Sequence, residues 1–231
     1  MIEAKNVSFS YPGGVAALKD VSFRLEDGKK YALVGANGAG KSTLLSLLCA
    51  LEYPQSGTIE MGGVPVDKAH TQQIRDHVGM VFQNPDDQLF MPTVYEDIAF
   101  GLRSRGIPED EVSKRVSGLM ERLEISHLKD RPPYRLSGGE KRVAAIATAL
   151  ALEPHMLMMD EPTAFLDPRA KAAFLRLIKG LDMGMLIATH DLTLAKEHMD
   201  GVVILKEGSV FAQGEATLLE DTDLLKEALL A

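Results

Sequence analysis

The eight residues Gly35-Ala36-Asn37-Gly38-Ala39-Gly40-Lys41-Ser42 narrow the possible folds more than any other part of this chain. They match the pattern G-x-x-x-x-G-K-[ST]. Before them lies the apolar run Tyr31-Ala32-Leu33-Val34, which reads as a buried strand. After them, Lys41 to about Glu52 reads as a helix stopped before Pro54. A strand that turns through glycines directly into a helix points several unpaired backbone N–H groups at one spot, with the positive end of the helix behind them. That arrangement cradles phosphate. The glycines let the backbone close around oxygens, Lys41 adds a full charge to the β and γ phosphates, and the Ser42 hydroxyl can ligate Mg²⁺. A random chain of this length holds the pattern roughly once in a hundred times. The ordinary alternative is a glycine-rich turn closed by a lysine.

The remaining sequence alternates strands and helices. Ile2, Ala4, Val7, Phe9 and Tyr11 are spaced like a strand that turns at Pro12-Gly13-Gly14. Val21 to Leu25 alternates, and Thr58–Met61 and Val64–Val66 flank the hairpin signal Gly62-Gly63. His77 to Phe82 is another apolar run. Val94 to Leu128 has helical spacing, Pro132-Pro133 breaks it, and a helix starts near Ser137. Then come a strand over Met156–Met159, a helix over Pro168–Gly180, a strand over Met185–Ala188, a short helix from Leu192 and a strand over Val202–Leu205. A last strand and a helix over Leu218–Leu230 close the chain. This order predicts an α/β fold with a mainly parallel sheet, a smaller antiparallel sheet, and an inserted helical subdomain.

Composition excludes more than it selects. The 231 residues, 45% apolar and 25% charged, suit one ordinary domain with a subdomain. Acidic residues outnumber basic ones 33 to 25, a net charge of −8, so nothing draws the chain toward nucleic acid or anionic lipid. The single cysteine, Cys49, reads as a buried thiol in a reducing, cytoplasmic compartment. The N-terminus lacks a signal-peptide core. The longest apolar stretch, Val143–Leu152, falls short of the roughly 20 residues of a membrane span.

Two further segments complete a nucleotide site. Leu157-Met158-Met159-Asp160-Glu161 is an apolar strand ending in two acids, at the strand end where α/β sheets bind ligands. Asp160 can hold Mg²⁺ and Glu161 can polarise an attacking water. A strand followed by an acidic turn is the plain alternative. Leu136-Ser137-Gly138-Gly139-Glu140 contains a capping box, but capping alone does not need two glycines. Ser-Gly-Gly at a helix start leaves bare N–H groups able to grip an anion.

In that order, Gly35–Ser42, Leu136–Glu140 and Asp160-Glu161 resemble the motifs of ATP-binding cassette (ABC) ATPases, and the resemblance covers nearly the whole chain. It implies a single P-loop ABC-type domain over 1–231, with a catalytic core and β-subdomain at 1–83 and 154–231 and a helical signature subdomain at 84–153. It implies that ATP is held by Tyr11, Gly35, Ala36, Asn37, Gly38, Ala39, Gly40, Lys41, Ser42 and Thr43 of one cassette and by Ser137, Gly138 and Gly139 of another. Glu161, His190 and Gln83 would be catalytic, and Ser42, Gln83 and Asp160 would surround Mg²⁺. Asp167, in Phe165-Leu166-Asp167, would speak across a head-to-tail dimer of this chain with itself or a paralogue. The chain departs from the family pattern at Glu140, where Gln is usual, and at Phe165, where a small residue is usual. The other histidines, His70, His77, His127, His155 and His198, read as surface or core.

Phe82-Gln83-Asn84-Pro85-Asp86-Asp87-Gln88-Leu89-Phe90, continued by Thr93–Gly101, resembles the ATPases of energy-coupling factor importers, cobalt and nickel importers among them. The expectation is an ATP-hydrolysing subunit, peripheral on the cytoplasmic face of the membrane, bound to integral membrane subunits near Gln83–Phe90. The cargo would be cobalt or nickel, with a vitamin as the alternative. A soluble cassette without a transport role is the other class. Repair relatives separate the first two motifs by a coiled coil, and no sustained heptads lie between Ser42 and Leu136.

Overall fold

The computed structural model describes residues 1–230. β1 (Ile2–Ser10), β2 (Ala16–Leu25), β4 (Ser56–Met61) and β5 (Val64–Pro65) form an antiparallel sheet in the order β2-β1-β4-β5. The hairpin between β4 and β5 turns at Gly62 and Gly63, both with positive φ, as a two-residue turn requires. The second sheet holds β3 (Lys30–Gly35), β6 (Val78–Val81), β7 (Met156–Asp160), β8 (Gly184–Thr189), β9 (Gly201–Lys206) and β10 (Ser209–Glu215) in the order β10-β9-β3-β8-β7-β6. Its neighbours are parallel except at the β9–β10 edge. The fold is the expected α/β architecture.

The helices are α1 (Lys41–Leu48), α2 (Thr71–His77), α3 (Val94–Ser104), α4 (Glu109–Arg122), α5 (Gly138–Leu150), α6 (Pro168–Gly180), α7 (Leu192–His198) and α8 (Thr222–Glu227). They cover both faces of the parallel sheet, which is why β7, β8 and β9 are almost wholly buried. Successive strand residues point to opposite faces. Leu33, Met158, Leu186 and Val203 pack with α1 and the antiparallel sheet. Val34, Met159, Ile187 and Ile204 pack with the core of α3, α4 and α5 and with Phe174 and Ile178 of α6. Cys49 is buried in the first of these cores, and burial pushes its thiol up to about 12, so it is inert at neutral pH.

Three local readings are corrected, and one helix was not expected. The first helix ends at Leu48, four residues before the expected stop at Glu52, and Ala50 just beyond it has φ 50°. The helical stretch 94–128 is broken by the turn at Gly106, where φ is 69°, and by Pro108 ahead of α4. The closing helix is divided into a 3₁₀ turn over Ala216–Glu220 and the short α8, because the Asp221 side chain accepts from the Asp223 and Leu224 N–H groups and starts a new helix. Helix α2, seven residues with one buried side chain, carries too little apolar periodicity to be read from sequence. Among the described residues, no helix is long and apolar enough to cross a membrane.

Gly57 shows a constraint that the sequence hides. The β1–β4 register shifts between Lys5 and Ser8, and Asn6 takes a positive φ of 51°. Gly57 lies against this bulge with φ 76°, and a Cβ there would lie 2.3 Å from the carbonyl oxygens of both Lys5 and Asn6. Gly63 also has positive φ but open space around it. Gly57→Ala is therefore expected to destabilise the fold by about 3 kcal/mol and Gly63→Ala by about 1 kcal/mol, measured by urea unfolding. Equal costs at the two positions would contradict the steric account.

Candidate functional site

Gly35 ends β3 and Lys41 begins α1, so the glycine-rich loop sits at the carboxyl end of a central strand. Gly40 at the helix N-cap has φ 103°, and a Cβ there would meet the Ala17 carbonyl oxygen at 2.7 Å. Only glycine fits. With glycine at the cap, no side chain bonds the first N–H groups of α1, which stay free for an anion. Lys41 is buried. Its Nζ donates to the carbonyls of Gly35 at 2.9 Å and Ala36 at 3.3 Å, and lies 3.8 Å from Glu161 Oε1.

The two acids arrive from β7, one strand beyond β8. Asp160 pairs in register with Ala188, and the Glu161 N–H donates to Ala188 O at 2.8 Å, carrying the contact one residue past the strand. Glu161 has φ 42°, a conformation uncommon outside glycine, and its buried carboxylate is held from two sides. Oε1 faces Lys41, and Oε2 lies 2.8 Å from His190 Nδ1. His190 follows β8 and is largely exposed.

Asp160 is buried, and its Oδ1 has no hydrogen-bond partner. Burial raises its carboxyl above the usual range. The Ser42 hydroxyl pulls it back, the Glu161 charge pushes it up, and Lys41 and Arg142 pull it down. An unpartnered buried carboxylate oxygen near a serine hydroxyl is the hard, all-oxygen environment that Mg²⁺ takes, with water and phosphate completing its shell. The residues present fit the ion.

A cavity of about 1130 Å³ joins these parts. Gly35, Ala36, Asn37, Gly38, Gly40, Lys41, Ser42 and Thr43 line it, as do Gln83, Asp160, Glu161 and His190. Ala39 is absent from its wall and packs into the apolar core instead. Tyr11 stands beside it, half-exposed, with its hydroxyl 3.4 Å from Thr43 Oγ1 and its ring edge-on to Phe9 at 5.0 Å.

Ser137, Gly138 and Gly139 do not reach this cavity. Ser137 and Gly138 are exposed at the start of α5, and Gly138 lines a neighbouring cavity of about 260 Å³ with Phe165. The capping box is formed. Glu140 N donates to Ser137 Oγ at 3.3 Å, and Ser137 N donates to Glu140 Oε2 at 2.7 Å. Those contacts hold the Glu140 carboxyl below its usual range, so the departure from Gln keeps the cap. Phe165 is 96% exposed with φ 63°. Asp167 caps α6, accepting from Arg169 and Ala170 N–H groups. In the acidic turn after Gln83, Asn84 caps Pro85–Asp87, and Asp86 pairs with Lys141 of its own chain.

Sequence reasoning missed Arg142 and Gln88, both of which hold the Gln83 loop. Arg142 is 2% exposed, and burial lowers its guanidinium to about 10. The available signal was position: a charged residue on the face of α5 otherwise filled by Ala145 and Ala149.

A family model described as ABC transporter matches residues 18–164, a span holding the glycine-rich loop, Gln83, the Ser137 helix start and Asp160-Glu161. The chain is 40% identical over 236 residues to the energy-coupling factor transporter ATP-binding protein EcfA of Methanothermobacter thermautotrophicus, covering 100% of this chain and 76% of the relative. Among solved structures it resembles cbiO1 of Clostridium perfringens, described as part of the ABC transporter complex cbiONQ. The TM-score is 0.86 at 36% identity, covering 99% of this chain and 94% of that one. It also resembles the dimeric post-hydrolysis state of the cassette MJ0796 bound to ADP and Pi, with TM-score 0.83 at 27% identity over 94% of this chain and 99% of that one. With a phosphate loop, a carboxylate pair and a histidine gathered on one cavity, and with these relatives, the chain belongs to the ABC transporter ATP-binding family and is an ABC-type ATPase.

Proposed function

We propose that this chain is the ATP-hydrolysing subunit of an energy-coupling factor importer carrying cobalt or nickel ions, and that it works as a pair of cassettes on the cytoplasmic face of the membrane. The observation that carries the reading is the divided site. Lys41, Asp160, Glu161 and His190 converge on one cavity, while the anion-gripping start of α5 opens outside it. Such a division suits two copies, or this chain and a paralogue, facing head to tail. ATP then lies between Gly35–Thr43 of one and Ser137–Gly139 of the other. The dimeric, ADP-bound cassette supports that pairing.

In the closed pair, Lys41 exchanges its carbonyl partners for phosphate oxygens, and Tyr11 offers its half-exposed ring to the adenine. Mg²⁺, held by Ser42, Asp160 and Gln83, would offset the phosphate charge. Glu161 accepts a proton from water as the water oxygen attacks the γ-phosphorus. The bond from that phosphorus to the bridging oxygen breaks, and ADP leaves with the electron pair. His190, fixed against Glu161, steadies the water and the γ-phosphate. The gain comes from placing charge, so little covalent work falls to the protein.

Residues 84–153 form the helical part that responds to nucleotide, and residues 1–83 with 154–231 form the catalytic part. Beside the Gln83 loop, Phe90 and Phe100 stand 64% and 47% exposed, edge-to-face at 5.1 Å. Two adjoining exposed aromatic rings suit a helix of a membrane subunit. Cobalt or nickel rests on the likeness of Phe82–Phe90 to importer ATPases of that kind. A vitamin is the second cargo; the EcfA relative supports an energy-coupling factor transporter and its name carries no cargo.

Glu161→Gln is expected to bind ATP with near-native affinity, trap a nucleotide-bound dimer in size-exclusion chromatography, and lose about 100-fold or more in kcat. Parental turnover would end the assignment of Glu161. Lys41→Ala is expected to weaken ATP binding about tenfold or more in a calorimetric titration. Unchanged affinity would remove Lys41 from the phosphate site. Purification of the tagged chain from detergent-extracted membranes should recover a helical membrane scaffold and a substrate-binding membrane protein. Recovery of soluble partners alone would overturn the importer reading, and the second membrane protein distinguishes metal from vitamin.

A further inference from the structure

Two costs coincide on the rim of the nucleotide cavity. Of the large apolar side chains exposed among the described residues, only Phe165 and Leu229 also carry a positive φ, 63° and 61°. Phe165 is 96% exposed and Leu229 60%. They come from distant parts of the chain, yet both line the same cavity, together with the half-buried Leu166, Leu192 and Leu230. Phe165 is the third residue of the turn Thr163–Leu166, in which Leu166 N donates to Thr163 O at 3.3 Å. Glycine or asparagine takes a positive φ there without strain. Leu229 is the left-handed residue that ends α8. Leu230 N donates to Leu225 O at 2.8 Å and Leu229 N to Lys226 O at 3.0 Å, the paired bonds of a Schellman motif, where glycine is the usual residue.

Packing within the chain does not call for these two side chains. A glycine at either place would relieve the backbone and remove an apolar group from water. Burial against another surface is the gain open to them, and the cavity decides which surface. Lys41, Glu161 and His190 stand on its wall, and in the pairing proposed above the Ser137–Gly139 helix start that completes the site comes from a second cassette. A cassette seated on the cavity mouth meets the rim. We propose that Phe165 and Leu229 form an apolar clamp on a second copy of this chain, a contact separate from those made through ATP. The inference rests on the head-to-tail pairing and names its partner. This chain carries both halves of the nucleotide site, so an identical copy supplies every group the pair needs, and two-fold symmetry gives each pair the clamp twice.

Dimer dissociation constants from sedimentation equilibrium test this, with ATP present and in the Glu161→Gln background that traps the pair. Phe165→Gly and Leu229→Gly are each expected to raise the constant about tenfold or more, because every dimer loses two buried side chains. Phe165→Leu keeps an apolar side chain and should stay within about threefold of the parent. Urea midpoints of the glycine variants should match the parent, since relieved strain offsets the freedom gained by the unfolded chain. Should a glycine variant lose its fold, asparagine at the same position suits positive φ without the apolar group and should raise the constant equally. Unchanged constants in folded variants overturn the clamp and leave the pairing intact. Unchanged constants with loss of the membrane subunits on copurification give the rim to a membrane partner and also overturn it. A Glu161→Gln parent that does not dimerise with itself overturns the pairing of identical copies and the clamp together.

Discussion

Parallel pairing of β3 with β8, and of β8 with β7, decides where this chain can do chemistry. Val34 pairs with Thr189 and Ala188 with Asp160, so the three strands finish at nearly the same level. The residues that follow them are Gly35 with its loop, His190, and Glu161. Each strand advances about 3.3 Å per residue, so a slip of two residues in β7 would move the carboxylates about 7 Å and empty the site. The apolar cores on the two faces forbid a one-residue slip, because alternate strand residues are committed to different faces and each would be turned to the wrong one.

The charges gathered there are held by one another. Lys41 leans on two loop carbonyls and on Glu161, and Glu161 leans on His190. Asp160 keeps one buried oxygen without a partner, a state that costs about 1–3 kcal/mol in an ordinary core. Glu161 carries a positive φ as well. Cost and strain of this kind concentrate where a ligand completes the arrangement. Lys41 and Glu161 thus hold protein partners in this structure, while Asp160 Oδ1 holds none.

Helix α5 carries two kinds of contact. Its apolar residues Ala144, Ile146 and Ala147 are buried in the helical core. Another face holds the backbone and side chains of residues 82–88, and its N-terminus presents the exposed Ser137-Gly138. The geometry of α5 therefore ties the Gln83 loop and the Ser137–Gly139 segment to one element.

The phosphate loop, the acids after β7, the capping box and the alternation of strands with helices were all legible in the sequence. Each depends on a local spacing that backbone geometry imposes on neighbours: glycines where a loop must fold tightly, period two in strands, a serine three residues before a glutamate. Helix ends were less legible at Leu48, Gly106 and Asp221, where caps and positive φ compete with apolar periodicity. Only the tertiary structure decided that Gly57 must clear two carbonyls and that Ala39 faces the core. Tertiary structure also decided that Arg142 and Gln88 hold the Gln83 loop across nearly sixty residues of sequence. Those facts depend on which surfaces meet after the chain has folded, and no spacing along the sequence encodes a meeting between distant segments.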